Sequence, residues 1–319
     1  MAVKRKLKIK KKNFAIFLIC NFVVIFLIVF TIHFIIKGIN SFTSNKKKKE
    51  PTVVVEKKKK DQTKDLNKDK NSEKLKLLGN INQKVDFFKM DYLDRYIEYK
   101  NNNKDLDNEQ IILNVNMGID QPYYTNTKET EYLNTTYLLV NKYHSLPSDY
   151  VPNNLQTINS KYSIGGMKLV DEARKAFENM AGDALKEKLH IIAMSSYRSY
   201  EYQVNLYNKY EKQDGKDAAD TYSARAGFSE HQSGLCLDVY DGEIPYTSFE
   251  KTNEFNWMQK NAYKYGFILR FPKDKTNETG YKYESWHYRY VGEEIAKYIH
   301  DNNISFEEYY ARFIEGKKW

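Results

Sequence analysis

SEHQSGLCLDVY occupies Ser229–Tyr240, and its second half decides how the folded part of the chain is read. Residues 234–240 (GLCLDVY) alternate, the period-2 pattern of a strand with two unlike faces. Gly234 marks a turn just ahead of it. A side chain before such a turn and one on the returning strand can converge on one point. Here these are His231 and Asp238. An imidazole and a carboxylate suit zinc, with N and O bonds of about 2.0–2.2 Å. Taken alone, the pattern describes equally well a surface loop followed by an ordinary strand.

Outward from this strand, helices and strands mix without regular alternation. Residues 85–100 have helical spacing, one or two short helices, and 110–116 (QIILNVN) read as a strand. Residues 167–189 form an amphipathic helix with Val170, Ala173, Phe177 and Leu185 on its stripe, and 190–195 form a buried strand. A helix covers 200–212, and another covers 253–264 with Gly266 as its stop. Strands follow at 267–271 (FILRF) and 286–291 (WHYRYV), then helices at 292–301 and 305–313. There is no Gly-rich phosphate loop. An α+β domain with an antiparallel sheet is expected, not a dinucleotide fold.

The 319 residues carry a formal charge of +9, but its distribution is uneven. Residues 1–75 hold 20 Lys+Arg against 6 Asp+Glu, and the other 244 hold 31 against 36. A nucleic-acid footprint belongs on the folded domain. A mildly acidic body with a basic tail therefore excludes nucleic acid as a partner. The two cysteines, Cys20 and Cys236, lie far apart and offer no disulfide framework. Phe14–Ile36 is an uncharged run of 23 residues. At 1.5 Å per residue it spans about 34 Å, enough for about 30 Å of bilayer hydrocarbon. It is longer than a signal-peptide core and lacks a small-residue cleavage site, so it reads as an uncleaved membrane anchor. The seven bases before it, Lys4, Arg5, Lys6, Lys8, Lys10, Lys11 and Lys12, place the N-terminus inside. Residues 1–13 are then a basic cytoplasmic tail. Residues 37–80, rich in Lys, Asp, Asn and Glu, are a disordered linker.

Of the six histidines, His33 falls in the span, His144 in a loop, His190 at a strand start and His300 near a helix end. His231 and His287 remain, each in a dense polar cluster. The second cluster, YESWHYRY over 283–290, sets Glu284 three residues before His287. A catalytic zinc site takes three protein ligands, one open position for water and a nearby general base. By itself this segment is also an aromatic edge strand with a paired Glu. The third cluster, SSYRSY over 195–200, ends a buried strand. An Arg there can project into a cleft, where its planar fork suits a carboxylate, or form a surface salt bridge.

Together, Tyr-Arg-Ser, S-x-H-x-x-G-x-x-x-D, G-F-I-L-R and E-x-W-H-x-R-Y-V-G resemble, in order and spacing, the VanY-type D-alanyl-D-alanine carboxypeptidases, a family that includes L,D-carboxypeptidases of bacterial walls. The resemblance spans roughly Tyr137 to Tyr310. It implies a Hedgehog/DD-peptidase-like zinc domain over 134–319, preceded by a helical or extended segment at 81–133. It implies that His231, Asp238 and His287 hold Zn2+ and that Glu284 is the catalytic base. Arg198 would grip the substrate's terminal carboxylate, with Ser229 and Gln203 beside the substrate. The family often has Pro where Ala226 and Ser285 stand, and Ala where Cys236 stands. Cys236 is two residues from Asp238 and shares its side of the strand; it is expected to be a small buried apolar filler, not a competing thiolate. The expected activity is removal of the terminal D-Ala from peptidoglycan stem peptides, outside the membrane. L,D-carboxypeptidase or endopeptidase action on peptidoglycan, or zinc-dependent wall binding without catalysis, are the alternatives; Glu284 speaks against the last, since a binder needs no base.

Overall fold

The computed structural model describes residues 72–76, 78 and 85–317. The basic tail, the apolar span 14–36 and most of the linker lie outside the described residues. Among the described residues no helix is long and apolar enough to cross a membrane. Residues 72–76, expected within the linker, are helical, and Leu78 is buried against Leu93 and Tyr96.

In chain order the named elements are α1 (Leu93–Asn102), α2 (Asn108–Met117), β1 (Lys128–Glu129), β2 (His144–Ser145), β3 (Leu155–Thr157), β4 (Lys168–Val170), α3 (Asp171–Lys186), β5 (Ile192–Ser195), α4 (Tyr200–Asp214), α5 (Lys216–Ala219), β6 (Cys236–Tyr240), α6 (Asn253–Asn261), β7 (Phe267–Phe271), α7 (Thr276–Thr279), β8 (Glu284–Tyr290), α8 (Glu293–Asn302) and α9 (Phe306–Phe313). The central sheet runs β5-β6-β8-β7, every neighbouring pair antiparallel. This is the expected α+β arrangement.

The alternation in these strands separates two faces. Leu237, Val239, Phe267, Tyr288 and Tyr290 join the main core with Phe177 and Met180 of α3 and Trp257 and Met258 of α6. Asp238, His287, Arg270 and Arg289 occupy the alternate positions and are buried too. The sheet therefore has an apolar face and a polar, water-excluded one. Phe177 is fully buried and meets Phe267 edge-on, with ring centroids 6.4 Å apart. Phe177→Ala should cost about 3–5 kcal/mol of stability, read by urea unfolding; a loss below about 1 kcal/mol would mean this core relaxes freely around the gap.

Three elements differ from the sequence reading. Residues 110–116 are helical, not a strand, because Asp107 caps α2. Its side chain accepts from Gln110 N while Gln110 reciprocates at Asp107 N. The run is apolar almost all round because α2 packs on two sides. Ile111, Ile112 and Val115 meet α1, and Leu113 and Met117 meet Ala311 of α9. Val170 belongs to β4, and the stripe of α3 is Ala173, Phe177, Met180, Ala181 and Ala184, with Leu185 only half-buried. Finally, β8 starts at Glu284, two residues before the strand read from sequence.

Candidate active site

Gly234 makes the turn that brings His231 back over the sheet. It ends the 3-10 turn Glu230–Ser233 at φ +67°. A Cβ there would come within 2.8 Å of Leu155, so both conformation and space call for glycine. After the turn, β6 pairs with β8 so that Asp238 lies directly opposite His287. Their separation of 49 positions in the chain is bridged by strand register. Asp238 Oδ1 is 3.1 Å from His287 Nδ1, and Oδ2 is 3.5 Å from His231 Nε2. His231 Nδ1 donates to the Ser196 carbonyl at 2.7 Å, because a ring nitrogen facing a carbonyl carries the proton. In the neutral ring the lone pair is then on Nε2, the nitrogen turned toward Asp238.

A regular strand would send Glu284 and His287 to opposite faces. The strand is not regular here: Leu269 pairs with Tyr288 but Phe271 with Glu284, so the β7–β8 ladder breaks between them. Across that break Glu284 Oε2 comes within 3.7 Å of His287 Nδ1. Burial raises its carboxyl pKa to about 7, against the pull of His287. A smaller irregularity between Ala193 and Ser195 sets Ser195 against Asp238. The chain then leaves β5, and Arg198 N donates to His231 O at 3.2 Å. The Arg198 guanidinium donates to Ser195 Oγ and, from Nη2, to Asp238 Oδ2 at 2.9 Å.

These groups line one cavity of about 360 Å³. Arg198, Gln203, Ser229, His231, Asp238, Glu284 and His287 all reach it, and Tyr246 and Trp286 form an aromatic wall, 5.0 Å apart edge to face. Every residue singled out in the sequence is therefore brought together. Gln203 donates from Nε2 to Ala224 O at 2.7 Å, while its buried Oε1 has no hydrogen-bond partner. That leaves an acceptor for a substrate N–H.

Ligands about 2.0–2.1 Å from zinc stand about 3.3–3.4 Å apart along a tetrahedral edge. Asp238 approaches each imidazole at about that spacing, through Oδ1 to His287 at 3.1 Å and Oδ2 to His231 at 3.5 Å. Cys236 is fully buried, as expected of a small filler, and it also stands beside the two imidazoles. Its thiol and the two imidazoles offer donor atoms within 4.8 Å of one another. Burial would raise the thiol pKa, but His231 and His287 bring it down to about 7. The register explains its place, since Cys236 and Asp238 point to the same side and Arg289 faces Cys236 across the ladder.

Sequence reasoning missed what lies beneath. Glu230, Arg270, Arg289 and Glu307 form a buried charge cluster. Arg270 bonds Glu230 at 2.8 Å and forks onto Glu307 at 2.6 and 2.8 Å, and Arg289 bonds Glu230 at 3.0 Å. Burial would raise the Glu230 pKa, and the two arginines overcome it, holding the carboxyl well below the usual range. Two Arg on alternating strands with apolar neighbours were the available signal, because a lone charge on a buried face demands a partner.

The VanY family model, described as D-alanyl-D-alanine carboxypeptidase, matches residues 166–293, which contain every cavity residue named above. YodJ of Bacillus subtilis (strain 168) is 35% identical over 212 residues, covering 62% of this chain and 78% of that protein. The bifunctional D-Ala-D-Ala dipeptidase and carboxypeptidase VanXYC of Enterococcus gallinarum is 32% identical over 180 residues, 55% of this chain and 93% of that one. The chain belongs to the VanY family. Among solved structures, the LD-carboxypeptidase LdcB superposes with a TM-score of 0.52 at 39% identity, covering 55% of this chain and 85% of that one. Family membership makes the protein a peptide hydrolase of the carboxypeptidase type, and the VanY match leaves α1 and α2 outside it.

Proposed function

We propose that this protein is a membrane-anchored zinc D-alanyl-D-alanine carboxypeptidase that removes the terminal D-Ala of peptidoglycan stem peptides. One observation carries the reading. His231, Asp238 and His287 converge at ligand spacing, with Glu284 beside them and Arg198 on the same cavity. Zinc, when bound, supplies Lewis acidity at the scissile carbonyl and acidifies the attacking water.

The chain's own residues do the rest. Glu284 accepts the water's proton and later delivers it to the leaving D-Ala amine, a task suited to a carboxyl whose burial lifts its pKa to about 7. Arg198 pairs with the free C-terminal carboxylate, which selects exopeptidase action. Gln203 offers its unpartnered Oε1 to a substrate N–H, and the Tyr246–Trp286 wall keeps water from the reacting bond. The apolar span 14–36 is the anchor, with the N-terminus inside and the catalytic unit on the wall side, where the substrate lies.

The full chain in detergent, given stem pentapeptide, should release D-Ala; a chelator should stop the release and added zinc restore it. The likeness to LdcB gives L,D-carboxypeptidase action a specific footing. D-Ala release from the tetrapeptide and none from the pentapeptide would establish that reading over the D,D one. Cleavage confined to cross-linked dimers would make the enzyme an endopeptidase, and no release from any of the three would end the proposal.

A further inference from the structure

Glu230 has no part in the reaction above, yet its side chain is only 2% exposed and stands directly behind a site imidazole. Its Oε1 accepts from both Arg270 Nε and Arg289 Nη1. Its Oε2 has no hydrogen-bond partner. Facing that oxygen at 3.6 Å is His287 Nε2, also buried and also without a partner. An unpaired buried polar atom is costly, and more so when it is charged. Here an orphaned acceptor faces an orphaned ring nitrogen.

Which way His287 is protonated explains the pairing. Its Nδ1 is turned to Asp238 Oδ1 and Glu284 Oε2, on the side where the ion would sit. A neutral imidazole that ligates through Nδ1 carries its proton on Nε2. The oxygen on that side is Glu230 Oε2. We propose that Glu230 is a positioning residue that takes the Nε2–H of His287, fixing that ring's tautomer and its aim at the metal. This rests on the zinc reading of the site.

The two arginines suit the role. They clamp Oε1, so the carboxylate cannot swing away from the ring, and leave Oε2 free. Arg289 is itself fixed by the carbonyls of Leu138 at 2.6 Å and Tyr290 at 2.9 Å. The 3-10 turn Glu230–Ser233 thereby serves both imidazoles. It carries His231, whose back nitrogen is held by Ser196 O, and it holds the back nitrogen of His287 through the neighbouring residue. Outer-shell partners of this kind typically govern metal affinity by about 10–100-fold.

The test uses the full chain in detergent, zinc affinity measured by competition with a chromophoric chelator, and the ring Nε2–H signal of His287 in 15N-histidine-labelled, zinc-loaded protein. Glu230→Asp keeps the charge for the arginines but withdraws the carboxylate by one methylene. It should bind zinc about 10–100-fold more weakly and shift the His287 Nε2–H signal upfield or lose it to exchange. Glu230→Gln should do the same. Glu307→Gln disturbs the same arginine without touching His287 and should leave both readouts unchanged. Folded Glu230→Asp protein with wild-type affinity and an unmoved His287 signal overturns the proposal. So does a Glu307→Gln variant that loses zinc as badly, because the charge cluster as a whole would then be responsible. Wild-type protein that takes up no zinc overturns the metal reading itself, a result distinguishable from either.

Discussion

Glu284→Gln should lower D-Ala release by about 10²–10⁴-fold, the usual contribution of a positioned proton-transfer group, and leave zinc content at the wild-type level. The substitution is nearly isosteric and removes only the capacity to take and return a proton. The stretch of β8 that carries Glu284 is held by backbone pairing with β7, so it survives the change. Glu284 lies 3.7 Å from His287 Nδ1, beside the ligand set and outside the Asp238 bridge between the imidazoles. Metal analysis and single-turnover hydrolysis on the same preparation check both halves. A variant that keeps more than a tenth of the wild-type rate with zinc bound would remove Glu284 from the role of base. One that loses both zinc and activity would make it a ligand instead.

Much of the fold was legible because the central strands are strongly patterned. Residues 234–240 and 267–271 announce two faces, and the sheet they build has two faces. The site was legible for a different reason. Apart from Gln203, its residues cluster in three short segments, and antiparallel pairing sets two of those segments opposite each other, Asp238 against His287. The rest depended on information that no periodicity carries. The helix at 108–117 hid behind an apolar run that reads as a strand, and a reciprocal cap between Asp107 and Gln110 decided it. The break in the β7–β8 ladder between Leu269 and Phe271, where Glu284 comes beside His287, leaves no sign in the sequence. Glu230 was given no role from the sequence because its partners, Arg270 and Arg289, stand 40 and 59 residues away. Cys236 was read by size, and it is buried; that its thiol also lies within 4.8 Å of a donor nitrogen of each site imidazole is something size does not tell.

Arg198→Ala should reduce kcat/KM for stem peptides with a free C-terminus by roughly 10²–10³-fold, as loss of one partner of a desolvated charge pair costs about 3–4 kcal/mol. Peptides with an amidated C-terminus should be hydrolysed slowly by wild type and equally slowly by the variant, since they never had the ion pair to lose. The prediction is thus a collapse of selectivity, not a uniform fall in rate. The resting geometry adds a second consequence. Arg198 Nη2 sits 2.9 Å from Asp238 Oδ2, so without substrate the guanidinium competes with a metal for that carboxylate. Removing it frees Asp238, and zinc affinity should stay level or rise. A structural collapse around β5 would lower zinc affinity instead, so the metal measurement separates lost recognition from lost fold. Arg198→Lys sharpens the comparison: it keeps the charge but lacks the planar fork, and it should recover only part of the selectivity. If the alanine variant still preferred free over amidated peptides by the wild-type margin, another group would have to hold the carboxylate, and exopeptidase selection would pass to the far end of the cavity.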